Sequence, residues 1–218
     1  AIPAPLGERI QLNDAHERIL AEPISSSIDL PVFDNSAMDG YAVRAADVTS
    51  AKPEAPVRLR LRGRIAAGET FAGELAGGEC LRLFTGSPLP CGTDAVVMQE
   101  ETRTGAAQAD EVLILSSTKP WENVRLRGED VKRGTVLAEA GDVLTTGKIS
   151  LLAAVGVAEV SVGKRPTVGL LATGSELREA GQPLGPGQIY ESNRIGLATF
   201  ARRTGAVPKI FPLVPDTL

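Results

Sequence analysis

Glycine and proline interrupt this chain too often for it to form long helices. Its 218 residues include 23 glycines and 15 prolines, and short apolar segments lie between them. This punctuation is typical of short strands joined by turns rather than of a helical bundle. The length exceeds that of one average domain, and a hydrophobic content of 43% is enough to build a core. The sequence therefore predicts a multidomain α+β protein that is rich in strands.

Charge and targeting signals exclude several classes of protein. A net charge of -4 argues against a dedicated nucleic-acid binder, which needs a concentrated basic surface. No segment approaches the roughly 18 apolar residues of a membrane span, and the first residues lack a signal-peptide pattern. Cys80 and Cys91 form no metal-binding pair, and His16 has no second histidine nearby. We expect a soluble cytoplasmic protein with reduced thiols and with neither nucleic acid nor membrane as a partner.

Two short helices are predicted in the outer parts of the first 164 residues. Residues 13–21 carry a capping residue, Asp14, and are followed closely by proline. Thr145 or Thr146 can cap a second helix of similar length, which ends at Gly156. The likeness of the two helices suggests that the segments carrying them belong to one domain.

That likeness predicts a domain interrupted by an insertion. Residues 1–24 and 122–164 would form a discontinuous N-terminal domain, and residues 25–121 would form an inserted β-rich domain. Within the insertion, residues 57–65 alternate between apolar and basic side chains, which predicts a strand with one buried and one basic face. The basic face is either solvated or an anion-steering surface.

The last part, residues 165–218, has the pattern of an α/β domain. An apolar strand after Pro166 ends in a polar loop, a helix capped by Ser192 or Asn193 follows, and a second strand comes after Gly205. Such a strand–helix–strand unit implies a parallel sheet whose ligand site lies beyond the carboxyl ends of its strands. One such unit covers too little of a parallel sheet, so we expect an incomplete domain.

Three acidic residues lie in glycine-flanked turns. Asp39, Asp130 and Glu176 could share a Mg²⁺ ion through their carboxylate oxygens, although each is also an ordinary turn-forming acid. Thr85, Gly86 and Ser87 offer hydroxyl and amide donors of the kind that hold phosphate, or a plain turn. The sequence has neither a P-loop nor a dinucleotide fingerprint, and a single histidine supports no nucleophile–histidine pair.

Four segments, taken in order, resemble successive motifs of the MoeA family of molybdopterin molybdenumtransferases, which includes the E domain of gephyrin. They are SAMDGYAVRAADV at 36–48, LRLFTGSPLPCGTDAVVMQEE at 81–101, NVRLRGEDVKRGTVLAEAGDVL at 123–144 and RPTVGLLATGSELREAGQPLGPGQIYESNR at 165–194. Four long motifs in the family's order are far more specific than any one alone, and they cover essentially the whole chain.

The resemblance implies a fold, a reaction and partners. The fold is the discontinuous N-terminal domain with its β-rich insertion, followed by the start of a molybdopterin-binding α/β domain. The reaction inserts molybdate into adenylylated molybdopterin with Mg²⁺ as cofactor and releases AMP. The protein would be a homodimer with its site between subunits, and it would work with molybdopterin adenylyltransferase and other proteins of molybdenum-cofactor synthesis.

Site residues follow from the positions that match the family's motifs. The resemblance implies activity roles for Asp39, Thr85, Asp130 and Glu176, with metal binding by the three acids. Backbone and hydroxyl groups would bind the cofactor's pterin or phosphates; they belong to Gly86, Ser87, Gly174 and Ser175.

The chain lacks later segments of the family, including the PGNP segment and the C-terminal domain, so we expect it to be inactive alone. Two alternatives stay open. One is a scaffold or interaction module of the gephyrin type, and the other is a module that binds a pterin nucleotide without turnover.

Overall fold

The computed structural model describes residues 7–104 and 110–216, and within them the chain forms two compact units. The first unit comprises residues 7–22, 139–149 and 158–216, and the second comprises residues 23–138 and 150–157. The three-part division expected from the sequence stays a prediction. No helix in the described ranges is long and apolar enough to cross a membrane.

The described residues contain mostly short strands. In chain order the strands are β1 Gly7–Gln11, β2 Ile24–Ser25, β3 Asn35–Ser36, β4 Gly40–Val43, β5 Val57–Ile65, β6 Glu79–Leu83, β7 Ala95–Met98, β8 Thr102–Thr104, β9 Glu111–Ile114, β10 Val124–Arg125, β11 Val136–Ala138, β12 Glu159–Gly163, β13 Thr167–Leu170, β14 Leu177–Arg178, β15 Ile189–Tyr190 and β16 Val207–Ile210. The helices are α1 Thr146–Ala154 and α2 Asn193–Arg203, with 3₁₀ turns at Leu12–Asp14, Ala45–Val48 and Gln99–Glu101. The strand-rich α/β composition confirms the expected fold class at this level.

A six-stranded sheet in the order β7-β4-β6-β5-β9-β8 organises the second unit. Only the β5–β6 pair is parallel; its other pairs are antiparallel. Successive residues of a strand point to opposite faces, and the sheet therefore has a core on each side. Tyr41 and Val97 belong to one core, and Ala42 and Val96 belong to the other.

The strand predicted at residues 57–65 is confirmed as β5. Leu59 is buried and its neighbours Arg58 and Arg60 are exposed, as the alternation predicts. The strands β8 and β9 flank the polar segment expected to form a hairpin tip, and residues 105–109 of that tip lie outside the described residues.

The helix predicted at residues 13–21 is wrong. Glu17 has a positive φ of 59°, and Ile19 and Leu20 form bridges with Val143 and Val162. Capping residues provide a local signal, and these pairings with residues far along the chain override it. The predicted cap of α1 is confirmed, because the Lys148 amide donates to Oγ1 of Thr145 at 3.4 Å.

The strand–helix–strand unit is confirmed in the first unit. Strands β13 and β16 pair in parallel, and α2 lies between them in sequence. The helix buries Ala198 and Ala201, whereas Ile195, Leu197 and Phe200 are each more than half exposed. Two parallel strands cover only one side of this helix, so its predicted apolar face is only partly buried.

Candidate functional site

Asp39 lies in a turn that the surrounding chain fixes tightly. The Ser36 hydroxyl donates to the Met38 carbonyl at 2.5 Å, and the Gln99 amide donates to the Asp39 carbonyl at 3.0 Å. The next residue, Gly40, starts β4 between β6 and β7, where a Cβ atom would lie 2.1 Å from the Val97 carbonyl oxygen. Only glycine fits there, and this close packing sets the position of the Asp39 backbone.

Thr85 holds the Asp39 carboxylate with two hydrogen bonds. Its amide and its hydroxyl each donate to Oδ1 of Asp39 at 2.8 Å. The amide bond first, and then the hydroxyl bond, lower the pKa of Asp39 below its ordinary value. The carboxyl group therefore stays ionised at neutral pH. Its Oδ2 has no hydrogen bond within the described part of the chain, which leaves that oxygen free for a ligand.

The turn Phe84–Ser87 carries Thr85, and the polar groups of its next two residues form hydrogen bonds within the protein. The Gly86 amide donates to the Ser36 carbonyl at 2.9 Å, and Gly86 has a positive φ of 84°. Ser87 is fully buried, and its hydroxyl donates to the Ile65 carbonyl at 3.2 Å. These contacts shape the turn. Ligand binding by Gly86 and Ser87 gains no support from them and stays a prediction.

Arg82 lies beside this turn and was not among the site residues predicted from the sequence. Its guanidinium is 5.0 Å from the centre of the Tyr41 ring and 5.4 Å from that of Phe84. It also donates to the Gln99 side chain. The signal was present in the sequence, because a single arginine interrupts the apolar strand that leads into the turn.

Asp130 lies in a neighbouring turn of the same unit. Arg125 donates to Oδ1 of Asp130 at 2.6 Å and to Oε1 of Glu129 at 3.2 Å. The bond to Asp130, and then that to Glu129, raise the pKa of Arg125. Strand β10 carries this arginine and pairs with β3, whose Ser36 accepts the bond from Gly86. A continuous series of contacts thus joins the Asp130 turn to the Asp39 turn.

Glu176, Gly174 and Ser175 lie in the first unit, in the loop that follows β13. The Gly174 amide donates to the Val214 carbonyl at 3.0 Å, and the Ser175 hydroxyl accepts from the Asp216 amide at 3.1 Å. A cavity of about 710 Å³ opens here and is lined by Gly174 and Ser175 among others. It lies where the strand–helix–strand pattern predicted a ligand site, beyond the carboxyl ends of parallel strands.

A buried arginine, also missed from the sequence, ties together the loops around this region. Arg194 is 3% exposed and donates to Glu191 at 2.8 Å and to Glu179 at 2.7 Å. It also donates to the Phe211 carbonyl. Glu191 further accepts from the Arg194 amide at 2.7 Å, so this carboxylate, rather than the predicted side chain of Ser192 or Asn193, caps α2.

The three acidic residues expected to bind a metal lie in two different units, Asp39 and Asp130 in the second and Glu176 in the first. Within the ranges described by the structure, no three His, Cys, Asp or Glu side chains come close enough together to hold a metal ion. Asp39 is bonded to Thr85, and Asp130 is bonded to Arg125. Metal binding by Asp39, Asp130 and Glu176 is not tested by these contacts and stays a prediction.

Comparisons with known proteins agree with the motifs. A profile described as the MoeA N-terminal region (domain I and II) matches residues 1–156. The molybdopterin molybdenumtransferase of Nostoc is 44% identical over 209 residues, which make up 96% of this chain and 47% of that protein. The enzyme of the same name from Haemophilus influenzae is 41% identical over 210 residues, 96% of this chain and 50% of that protein. The chain spans about half the length of these relatives.

A solved structure shows the same fold. The crystal structure of the molybdopterin biosynthesis moeA protein from Pyrococcus horikoshii OT3 superposes with a TM-score of 0.87 at 34% identity. The match covers 97% of this chain and 56% of that one. The strand-rich mixed α/β architecture is thus shared along nearly the whole chain.

Proposed function

Because this chain belongs to the MoeA family, we propose that it takes part in transferring molybdenum to molybdopterin. In this reaction molybdate is inserted into adenylylated molybdopterin and AMP is released. The relatives named molybdopterin molybdenumtransferase support this proposal. The observation that carries it is the pair of hydrogen bonds from Thr85 to Asp39, which joins two family motifs 46 residues apart in sequence.

Asp39 is the residue to which we assign the central role. Its carboxylate is ionised and fixed through Oδ1, so Oδ2 can accept a hydrogen bond from a substrate group or a water molecule in a defined position. Fixing one oxygen in advance limits the reorganisation needed when the substrate binds. Thr85 acts in this proposal as a positioning residue, because its hydroxyl proton is already donated to Asp39.

The substrate's phosphates and molybdate are anions, so carboxylates alone would repel them. Mg²⁺ would supply positive charge when bound. The described residues do not assemble a site for it, and we assign no step to the metal. Arg82 is a positive group that the chain itself provides, and it is close enough to act on the Asp39 carboxylate.

The cavity next to Gly174 and Ser175 supports a role in binding the pterin nucleotide. Its volume of about 710 Å³ lies within the usual range for ligand sites. We propose that Gly174 and Ser175, which line this cavity, contact the substrate there, and that Glu176 of the same loop contacts it from beside the cavity. As part of the same proposal, the protein works as a homodimer and receives its substrate from molybdopterin adenylyltransferase.

Turnover is tested with the complete natural form of the protein. AMP release from adenylylated molybdopterin is measured with and without molybdate. The proposal expects release that depends on molybdate. Binding of the substrate without any release would favour the alternative of a binding module without turnover, and the cavity alone is compatible with that alternative.

A further inference from the structure

A bulge in β5 changes the face on which one arginine lies. Strict alternation after Arg60 and Arg62 would place Arg64 on the same face as these two. The pairing with β6 shifts between Leu61 and Arg64, and Gly63 adopts a φ of 138° that suits glycine. A bulge of this kind re-aims the side chains that follow it.

The core confirms this change of face. Ile65, directly after Arg64, is 4% exposed and packs in one core with Leu81 and Leu83. Arg64 therefore lies on the opposite face, which carries the other core with Tyr41 and Val97. Arg60, before the bulge, is the cross-strand partner of Glu79. It lies on the face that carries Ile65, opposite to the face of Arg64.

The bulge brings two arginines into register. Arg64 is the β5 partner of Arg82 on β6, and Tyr41 on β4 is the partner of Arg82 on its other side. Directly opposed residues of neighbouring strands point to the same face, so Tyr41, Arg82 and Arg64 form one row across the sheet. Like charges directly opposite one another are unfavourable.

This pair differs from the other arginines of the same strand. Arg58 pairs with Glu111 at 3.2 Å, and Arg62 pairs with Glu79 at 2.6 Å. In the described ranges, neither Arg64 nor Arg82 forms an ion pair with any carboxylate. Arg82 is held in place by the rings of Tyr41 and Phe84 and by the Gln99 side chain, and the Asp39 carboxylate is near enough to interact with its charge without forming an ion pair.

We propose that Arg64 and Arg82 form a binding site for a tetrahedral oxyanion of the phosphate or molybdate class. A guanidinium presents planar N–H donors that match the oxygens of such an anion. Bound between the two arginines, the anion would remove their mutual repulsion. The row adjoins the Asp39 turn, since β6 runs directly into Phe84 and Thr85. Only the identity of the natural anion, a substrate phosphate or molybdate, rests on the proposed function.

The site is tested by titrating the 218-residue chain with inorganic phosphate and, separately, with molybdate at low ionic strength, using calorimetry. Arg64→Gln should weaken binding about tenfold, as expected when one of two charge-assisted contacts is lost. Arg60→Gln is the matched control, because it removes the same charge from the same strand on the other face. It should change the affinity less than about twofold.

Each result decides the proposal. Equal losses of anion affinity in Arg64→Gln and Arg60→Gln would show diffuse electrostatic attraction and would overturn the proposal. Unchanged affinity in Arg64→Gln would also overturn it, as would a wild-type chain that binds neither anion. If Arg64→Gln loses affinity for phosphate alone, the natural ligand is a substrate phosphate. If it loses affinity for molybdate alone, the natural ligand is molybdate. Both readings are independent of turnover, so loss of anion binding and loss of AMP release can be told apart.

Arg82→Lys adds a second variant that keeps the charge. Lysine lacks the planar fork of donors, so phosphate binding should weaken here as well, by about threefold to tenfold. Full binding by Arg82→Lys together with full binding by Arg64→Gln would leave no role for the pair.

Discussion

Gly40→Ala should strongly destabilise the second unit. The added Cβ would lie 2.1 Å from the Val97 carbonyl oxygen and 2.9 Å from Cγ1 of Val96, whereas real Cβ atoms essentially never approach below 3.0 Å. Strand β4 would have to move by roughly 1 Å, against close-packed neighbours on both sides.

The magnitude follows from what such a movement disrupts. It would stretch the ladder bonds of β4 to β6 and β7 and the bond from Gln99 to the Asp39 carbonyl. Losing two or three such bonds at about 1 kcal/mol each, together with overpacking, gives a loss on the order of 4 kcal/mol.

The assay is urea unfolding followed by circular dichroism, which reports the free energy of unfolding. Gly196→Ala is the control. Gly196 lies inside α2, and nothing lies within 4 Å of its added Cβ. That variant should gain about 0.5–1 kcal/mol from helix propensity. A Gly40→Ala protein within about 1 kcal/mol of wild type would refute the steric reasoning.

Two further predictions concern titratable groups. Thr85→Val removes one of the donors that lower the pKa of Asp39, so this pKa should rise towards its ordinary value in an NMR titration of the carboxyl carbon; an unchanged pKa would contradict the described contacts. Since the folded-state pKa of Asp39 is lowered, its stabilising contribution is complete above the ordinary carboxyl range near 4 and is lost as the pH falls through the folded value. Burial, followed by the charge of Glu79, raises the pKa of the Cys80 thiol to about 12, whereas Cys91 is exposed. A thiol reagent should therefore modify Cys91 in the native chain and reach Cys80 only in denaturant, and rapid native labelling of Cys80 would contradict this burial.

Local patterns predicted several elements correctly. The alternation in β5, the Thr145 cap of α1 and the strand–helix–strand unit around α2 all depend on residues close together in sequence. The helix expected at residues 13–21 failed because Ile19 and Leu20 pair with residues more than 120 positions away. Capping signals carry no information about such partners.

The candidate site could be predicted only in part. The sequence identified Asp39 and Asp130 as acids in turns. It could not show that Thr85, 46 positions after Asp39, donates a hydrogen bond to the Asp39 carboxylate. The family motifs pointed to both residues without giving this contact. Arg64 could not be assigned to its face, because the bulge at Gly63 breaks the alternation that sequence reasoning relies on.

The proposed molybdenum transfer depends above all on the Asp39 carboxylate. The most direct measurement is molybdate-dependent AMP release by Asp39→Ala in the complete natural form of the protein, beside Glu54→Ala as a control at an exposed acid. Asp39→Ala should lose at least about 99% of the wild-type rate, as removal of a positioned acid–base or electrostatic group does, while Glu54→Ala should keep it. Wild-type AMP release by a folded Asp39→Ala protein would show that the reaction does not need this carboxylate.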